Sequence, residues 1–236
     1  MAATRSQKRK QTARADSRLP DPTAVSKGEL SKSSVTRTRI MEAGVTCLAE
    51  DGYASTTTST VAERAGLTRA AMLYHFPSRM ALIEAVIHYV TRRRIDMYKV
   101  VMAEIPQDEN FFLTAIDEAW AQLDTKEFQA FSELSMAART DEELSASFAP
   151  ALAEYDRARR ETAIALFPEA ALDAPWFDLR RDITRFLSEG LMQQGGLSFN
   201  AERRKANLVG FLKALSSDKA GAELLKKALE IARKES

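Results

Sequence analysis

Cysteine is almost missing from this chain of 236 residues, where Cys47 stands alone. One thiol can form neither an internal disulfide nor a metal cluster built on cysteine. Histidine is nearly as scarce. His75 and His88 lie thirteen residues apart, with no acidic or thiol partner at metal-ligand spacing, so no zinc site is expected. A nucleophile, histidine and acid triad would need one of these two, and neither stands in a loop or elbow suited to it. No glycine-rich phosphate loop or dinucleotide fingerprint occurs. A run of about 18 apolar residues is also lacking, which leaves no candidate membrane span. The N-terminal basic residues have no apolar stretch behind them, so the pattern of a secretory signal is absent. These gaps lead to the expectation of a cytoplasmic protein with no metal or cofactor, and not an enzyme.

Net charge is scarce too, at +1, which alone argues against a nucleic-acid partner. Its distribution reverses that. Residues 1–40 hold ten basic side chains against three acidic ones, about +7, which leaves about −6 for the rest. A basic N-terminal end on an acidic body is the footprint of a DNA-reading head joined to something with another task.

Residues 56–79 are punctuated for two short helices. Thr57 can cap a helix over about 58–65, because its hydroxyl can accept from an orphan amide of the first turn. Val61, Ala62 and Ala65 then share an apolar face. Gly66 suits the left-handed residue that ends such a helix, and Leu67 can plug the angle that follows. Thr68 caps a second helix of about 69–76, on which Met72 and Phe76 face inward while Arg69, Ala70, Leu73 and Tyr74 face out. Pro77 stops it, and Ser78 can cap the next. A helix-turn-helix of this kind can enter a major groove. Arg69 can be bidentate to guanine, small residues permit close approach, and the alanines or Leu73 can touch a thymine methyl. On geometry alone, an ordinary corner between two helices of a bundle, with Arg69 and Tyr74 merely solvated, fits the same residues.

The flanking residues add a resemblance. Arg39-Ile40-Met41-Glu42-Ala43, Leu48-Ala49-Glu50-Asp51-Gly52-Tyr53, Thr56-Thr57, Val61 to Thr68, and Tyr74-His75-Phe76-Pro77-Ser78-Arg79 stand in a specific spacing. From Val35 to Met80, about 50 residues, the chain resembles the DNA-binding domain of the tetracycline-repressor (TetR) family of bacterial transcription regulators. On that reading Arg69 and Ala70, with Ala71 close by, set base preference, while Thr57, Thr68, Tyr74, His75 and Arg79 hold phosphates and Arg37 anchors the first helix. Two departures stand out. Leu73 occupies the family's usual phosphate-binding tyrosine position, and Tyr74 is expected to take over. The family's Ser-Lys-Glu is Ser78-Arg79-Met80 here, which keeps the cation and drops an acid from the first turn.

The expected organisation is all-α. Residues 1–33 are polar and basic and are expected to form a disordered arm able to track phosphates; a solubilising tail fits equally. The DNA-binding domain takes 34–80 and an effector-binding and dimerisation domain 81–236. Helix one should run over about 34–51, with Cys47 on its apolar face beside Ile40, Ala43, Gly44 and Leu48. A long helix runs from Ser78 to before Pro106, with Arg92-Arg93-Arg94 as a solvated collar. Further helices are expected near 109–124, 127–139, 141–166 with a break at Pro150, 176–194, 200–216 and 218–234. Thr140 and Glu143 form a capping-box pattern.

Two apolar stripes stand near the C-terminus, Ile183, Phe186, Leu187 and Leu191 on one helix, and Leu208, Phe211, Leu212 and Leu215 on the next. Each fits an internal core. The resemblance implies instead a homodimer, paired through a four-helix bundle, whose recognition helices sit one DNA turn, about 34 Å, apart on a palindrome. Trp120, Phe128, Phe131, Met136, Phe148, Tyr155 and Trp176 form an aromatic-rich set. They either fill the core or line a pocket for a small apolar effector, with Gln122, Tyr155 and Arg159 as polar handles. Together these features favour a repressor released from its operator by a small molecule; an activator or an architectural DNA-binding protein without an effector is the alternative.

Overall fold

A computed structural model describes residues 18–24, 31–106, 111–166, 168, 174–194, 200–217 and 219–235. The fold is all-α. Its helices are α1 Ser31–Ser55, α2 Thr58–Arg64, α3 Arg69–His75, α4 Arg79–Glu104, α5 Phe111–Ala121, α6 Lys126–Ala137, α7 Glu142–Leu166, α8 Ala174–Gln194, α9 Ala201–Ser217 and α10 Lys219–Glu235. A single 3₁₀ turn, Gln122–Asp124, follows α5. None of the described helices is long and apolar enough to cross a membrane.

The chain forms two compact units, and α4 and α7 each contribute to both. The first takes the described residues up to Met97 together with Thr125–Arg159. The unit that holds the helix-turn-helix is therefore larger than residues 34–80, because α1 packs along α6. Its core runs through Ile40, Met41, Cys47, Leu48, Val61, Met72, Leu82, Ile83, Val86 and Ile87 to Phe131, Leu134 and Leu144. Gly44 permits the close approach of α1 and α4: a Cβ there would stand 2.6 Å from Val86 Cγ2. Cys47 is part of this core, and burial pushes its thiol up, as suits a small inert side chain.

The second unit takes Tyr98–Asp124 with Arg160–Ser236. Here α9 packs on α5, and α10 touches α8 and α9. Lys213 joins α9 to Asp117 of α5 at 2.6 Å, and Arg160 grips Asp178 of α8 through Nε and Nη2 at 2.9 and 3.1 Å. Trp120, Leu123, Phe177, Leu212 and Leu215 are buried in this unit.

Three local expectations are corrected. Pro150 does not break α7, which is continuous from Glu142 to Leu166. The ring is exposed, and the buried residues Leu144, Phe148, Ala151 and Tyr155 fix the helix on either side of it. The cap of α7 is Asp141 rather than Thr140, since its Oδ1 accepts from Leu144 N at 2.9 Å, whereas the Thr140 hydroxyl turns back to the Ala137 carbonyl. Residues 18–24 do not hang free. Arg18 N donates to Glu154 Oε1 at 2.8 Å, Arg92 Nη1 donates to the Leu19 carbonyl at 3.0 Å, and Ser34 Oγ donates to the Thr23 carbonyl at 3.1 Å. Asp21 stiffens the turn between these anchors by accepting from Thr23 N and Oγ1. The remainder of the expected arm, 1–17 and 25–30, lies outside the described residues.

Candidate nucleic-acid interface

The turn between α2 and α3 is built by backbone chemistry that the side chains prescribe. Thr57 and Thr60 form a reciprocal cap on α2: Thr60 N donates to Thr57 Oγ1 at 3.1 Å and Thr57 N to Thr60 Oγ1 at 2.9 Å. At the other end Gly66 takes φ 64°, a left-handed conformation that costs a side-chain-bearing residue about 1–2 kcal/mol. Gly66 N then reaches the Glu63 carbonyl and Leu67 N the Ala62 carbonyl, which is the Schellman pattern. The Arg39 guanidinium closes the corner by donating to the Ala65 carbonyl. Thr68 Oγ1 accepts from Ala71 N at 3.2 Å and so starts α3. The Thr68 hydroxyl proton is left for an outside acceptor.

This corner divides α3 into two faces. Met72 is buried completely and Phe76, just past the helix, almost so. Arg69, Ala70, Leu73 and Tyr74 are exposed, Tyr74 to 82%, while Ala71 and His75 are half-buried. Tyr74 and His75 pack edge to face at 5.3 Å between ring centres. Arg69 has no hydrogen-bond or ion-pair partner among the described residues, so its fork of donors is available to a ligand. Thr57 and Arg37 are half-buried, the first at the start of α2 and the second on α1.

Arg79, expected as a phosphate-facing cation, also bonds within the head. Its Nε donates to the Thr56 carbonyl at 2.8 Å and its Nη2 to the Tyr53 carbonyl at 2.6 Å, with the guanidinium 4.2 Å from the Tyr53 ring centre. Most of this side chain is therefore committed to joining the start of α4 to the end of α1. Tyr53 is the shared node. Its N–H donates to Glu133 of α6 at 2.7 Å and its hydroxyl to Asp141 at 2.9 Å. The Leu144 amide and then the Tyr53 hydroxyl hold the Asp141 carboxyl below the usual range, while burial pushes the Tyr53 phenol up. Nearby, Glu50 takes Arg64 of α2 and, at 2.6 Å, Lys126 of α6. The spacing of Tyr53, Thr56 and Arg79 was legible in the sequence; their joint use as a brace was not.

The likeness of this head to known proteins is specific. A sequence model described as bacterial regulatory proteins, tetR family, matches residues 40–86, from the middle of α1 into α4. An HTH-type transcriptional regulator of Mycobacterium tuberculosis is 29% identical over 136 residues, covering 56% of this chain and 70% of its own, and its Mycobacterium bovis counterpart matches equally. Over residues 40–86 the chain thus carries a domain of the tetR-family regulatory kind. The likeness in fold reaches beyond the head. A Pseudomonas aeruginosa PAO1 protein assigned as a transcriptional regulator superposes with a TM-score of 0.59 at 14% identity, over 84% of this chain and 96% of its own. Salmonella enterica GusR gives 0.59 at 19% identity, over 84% and 98%.

The residues expected to bind an effector are drawn from both units. Trp120 and Gln122 belong to the second unit, where the Lys205 ammonium lies 5.6 Å from the Trp120 ring centre. Phe128, Phe131, Tyr155 and Arg159 belong to the first, together with Met136, which is 48% exposed. The Trp176 side chain lies outside the described residues. In the first unit the aromatic space is filled from within. Arg94 is buried, and its guanidinium carbon lies 4.4 Å from the Tyr155 ring centre, 4.5 Å from Phe131 and 5.2 Å from Phe128. The arginine triplet is thus no uniform collar: Arg93 is exposed and Arg92 half-buried.

The two C-terminal stripes also divide. Leu212, 1% exposed, and Leu215 are buried in the second unit, the internal-core alternative for this stripe. Phe186 and Phe211 stand out at 61% and 49%, while Ile183, Leu187, Leu191 and Leu208 are half-buried. Space is open above Gly190 and Gly210 on the same two helices.

Proposed function

We propose that this protein is a homodimeric repressor, acting in the cytoplasm, that binds a palindromic operator and leaves it when a small-molecule effector binds. The observation that carries the reading is the exposed face of α3, with Ala70, Tyr74 and an Arg69 that has no partner among the described residues, on a helix otherwise anchored by Met72. Arg69 with Ala70 and Ala71 reads base edges, Leu73 meets a thymine methyl, and Thr57, Thr68, Tyr74 and His75 hold phosphates. Arg37 anchors α1 to the backbone, and Arg79 braces the head, a role its contacts with Tyr53 and Thr56 support. The excess of basic residues in 1–40 adds attraction that salt will screen.

Two exposed phenylalanines on adjacent helices support the dimer. A monomer has no reason to leave Phe186 and Phe211 in water, and a symmetric partner covers both at once. One gel-shift series tests function and assembly together. The wild-type protein should retard the DNA flanking its own gene in preference to scrambled DNA of equal length, and should sediment as a dimer. Phe186→Glu should sediment as a monomer and lose at least tenfold in apparent DNA affinity, since only half of the contacts remain. Equal retardation of both DNAs by the wild type would remove the operator reading; a dimeric Phe186→Glu would remove this dimer face.

A further inference from the structure

Residues 18–24 are docked on the helices that frame the reading head. Leu19 packs on the core of the first unit, Arg18 N donates to Glu154 of α7, the Leu19 carbonyl accepts from Arg92 of α4, and the Thr23 carbonyl accepts from Ser34 of α1. Seven residues thus join three helices. Pro20 and Pro22 fix their own φ and restrict Leu19 and Asp21 before them, so little chain entropy is left to lose on docking. Ala24 N closes a turn on the Asp21 carbonyl at 3.1 Å. Glu154 makes the contact specific. Its carboxylate is buried, 6% exposed, and takes Arg157 at 2.6 and 2.7 Å; without the Arg18 amide a buried charge would stand one donor short. Two of the three helices also hold the corner between α2 and α3. Arg39, five residues beyond Ser34 on α1, closes that corner on the Ala65 carbonyl. Arg79, thirteen residues or about 20 Å before Arg92 on α4, bonds the Thr56 and Tyr53 carbonyls.

We propose that residues 18–24 form a strap that holds α1, α4 and α7 in the arrangement that binds DNA, so that strap docking and DNA binding favour one another. The inference rests on the DNA-binding reading of α3 above and adds a regulatory contact to it. The coupling is reciprocal by necessity: a released strap weakens DNA binding, and bound DNA tightens the strap by the same factor. Couplings between two sites commonly amount to about 5- to 150-fold. The strap is also continuous with residues 1–17, which carry five basic side chains and one acidic one. A strap that merely rooted those charges near DNA would act through phosphates. Salt separates the two cases, because phosphate contacts set the slope of affinity against salt and a change in the fraction of DNA-competent protein leaves that slope alone.

The test uses the full-length protein and the DNA flanking its own gene. Leu19→Ser removes the apolar anchor of the strap without changing charge. It should lower DNA affinity at least fivefold, with the slope of log affinity against log salt unchanged and hydrogen exchange over α2 and α3 as in the wild type. Leu19→Met, which keeps the apolar contact, should keep the affinity. In the wild type, bound DNA should raise the exchange protection of a peptide covering residues 18–24 by at least the factor that Leu19→Ser loses. Ser34→Ala removes one bond to the strap and should weaken DNA binding at least twofold; it decides the matter if Leu19→Ser unsettles α2 and α3. Undiminished affinity in these variants, a loss that comes with a flatter salt slope, or strap protection that DNA leaves unchanged would overturn the proposal. The wild-type gel shift separates the two levels: a protein that prefers its own flanking DNA but is indifferent to the strap loses this inference alone.

Discussion

Replacing Met72 by alanine should remove about 2–5 kcal/mol from the stability of the unit that carries the helix-turn-helix, because a fully buried unbranched side chain is exchanged for a cavity. The effect should concentrate on α3. That helix has seven residues, too few to be stable by propensity, and it holds its shape through the face that Met72 buries against the core of α1 and α2. Hydrogen exchange read on peptides covering α2 and α3 should therefore show lost protection, and DNA retardation should fall with it. Leu73→Ala, one residue on but exposed, should change stability by no more than about 0.5 kcal/mol. Similar stability losses in the two variants would mean that α3 is not oriented as described.

Arg69→Ala should weaken binding to the preferred DNA by about 1–3 kcal/mol, roughly 5- to 150-fold, and relax the preference at one base pair. Its stability should stay near that of the wild type, because the side chain is exposed and has no partner among the described residues. Tyr74→Phe supplies the contrast. It keeps the ring that packs against His75 and removes only the hydroxyl, so affinity should fall similarly on all sequences. Competition binding against single-base variants of the preferred site distinguishes the two patterns. An Arg69→Ala loss that is equal on preferred and random DNA would make Arg69 a phosphate contact, and a Tyr74→Phe loss confined to one base pair would make Tyr74 a base reader.

What the sequence made legible was local. Thr57, Gly66 and Thr68 act through bonds closed within five residues, and each stands where its chemistry places it. The inward turn of Met72 follows from helical period alone. Features that depend on a distant partner were hidden. Three consecutive arginines point in directions about 100° apart, and only the folded positions of distant helices decide that Arg94 is the one drawn inside, among Phe128, Phe131 and Tyr155. Pro150 lacks the amide that a helix interior needs, yet the buried Phe148 and Ala151 beside it carry α7 through. The apolar stripe of α9 was wide enough to span two faces: Leu212 turned to the core and Phe211 to solvent. Arg79 was recognisable as a motif residue, but its use as a brace depends on where Tyr53 and Thr56 leave their carbonyls.

The central claim, that two copies of α3 read one operator, is tested most directly by a hydroxyl-radical footprint on the DNA flanking the regulator's own gene. The account predicts protection symmetric about a dyad, with two protected half-sites centred about one helical turn, roughly 34 Å, apart. A single protected patch without a dyad, or protection that spreads evenly over any sequence as the protein is added, would contradict it.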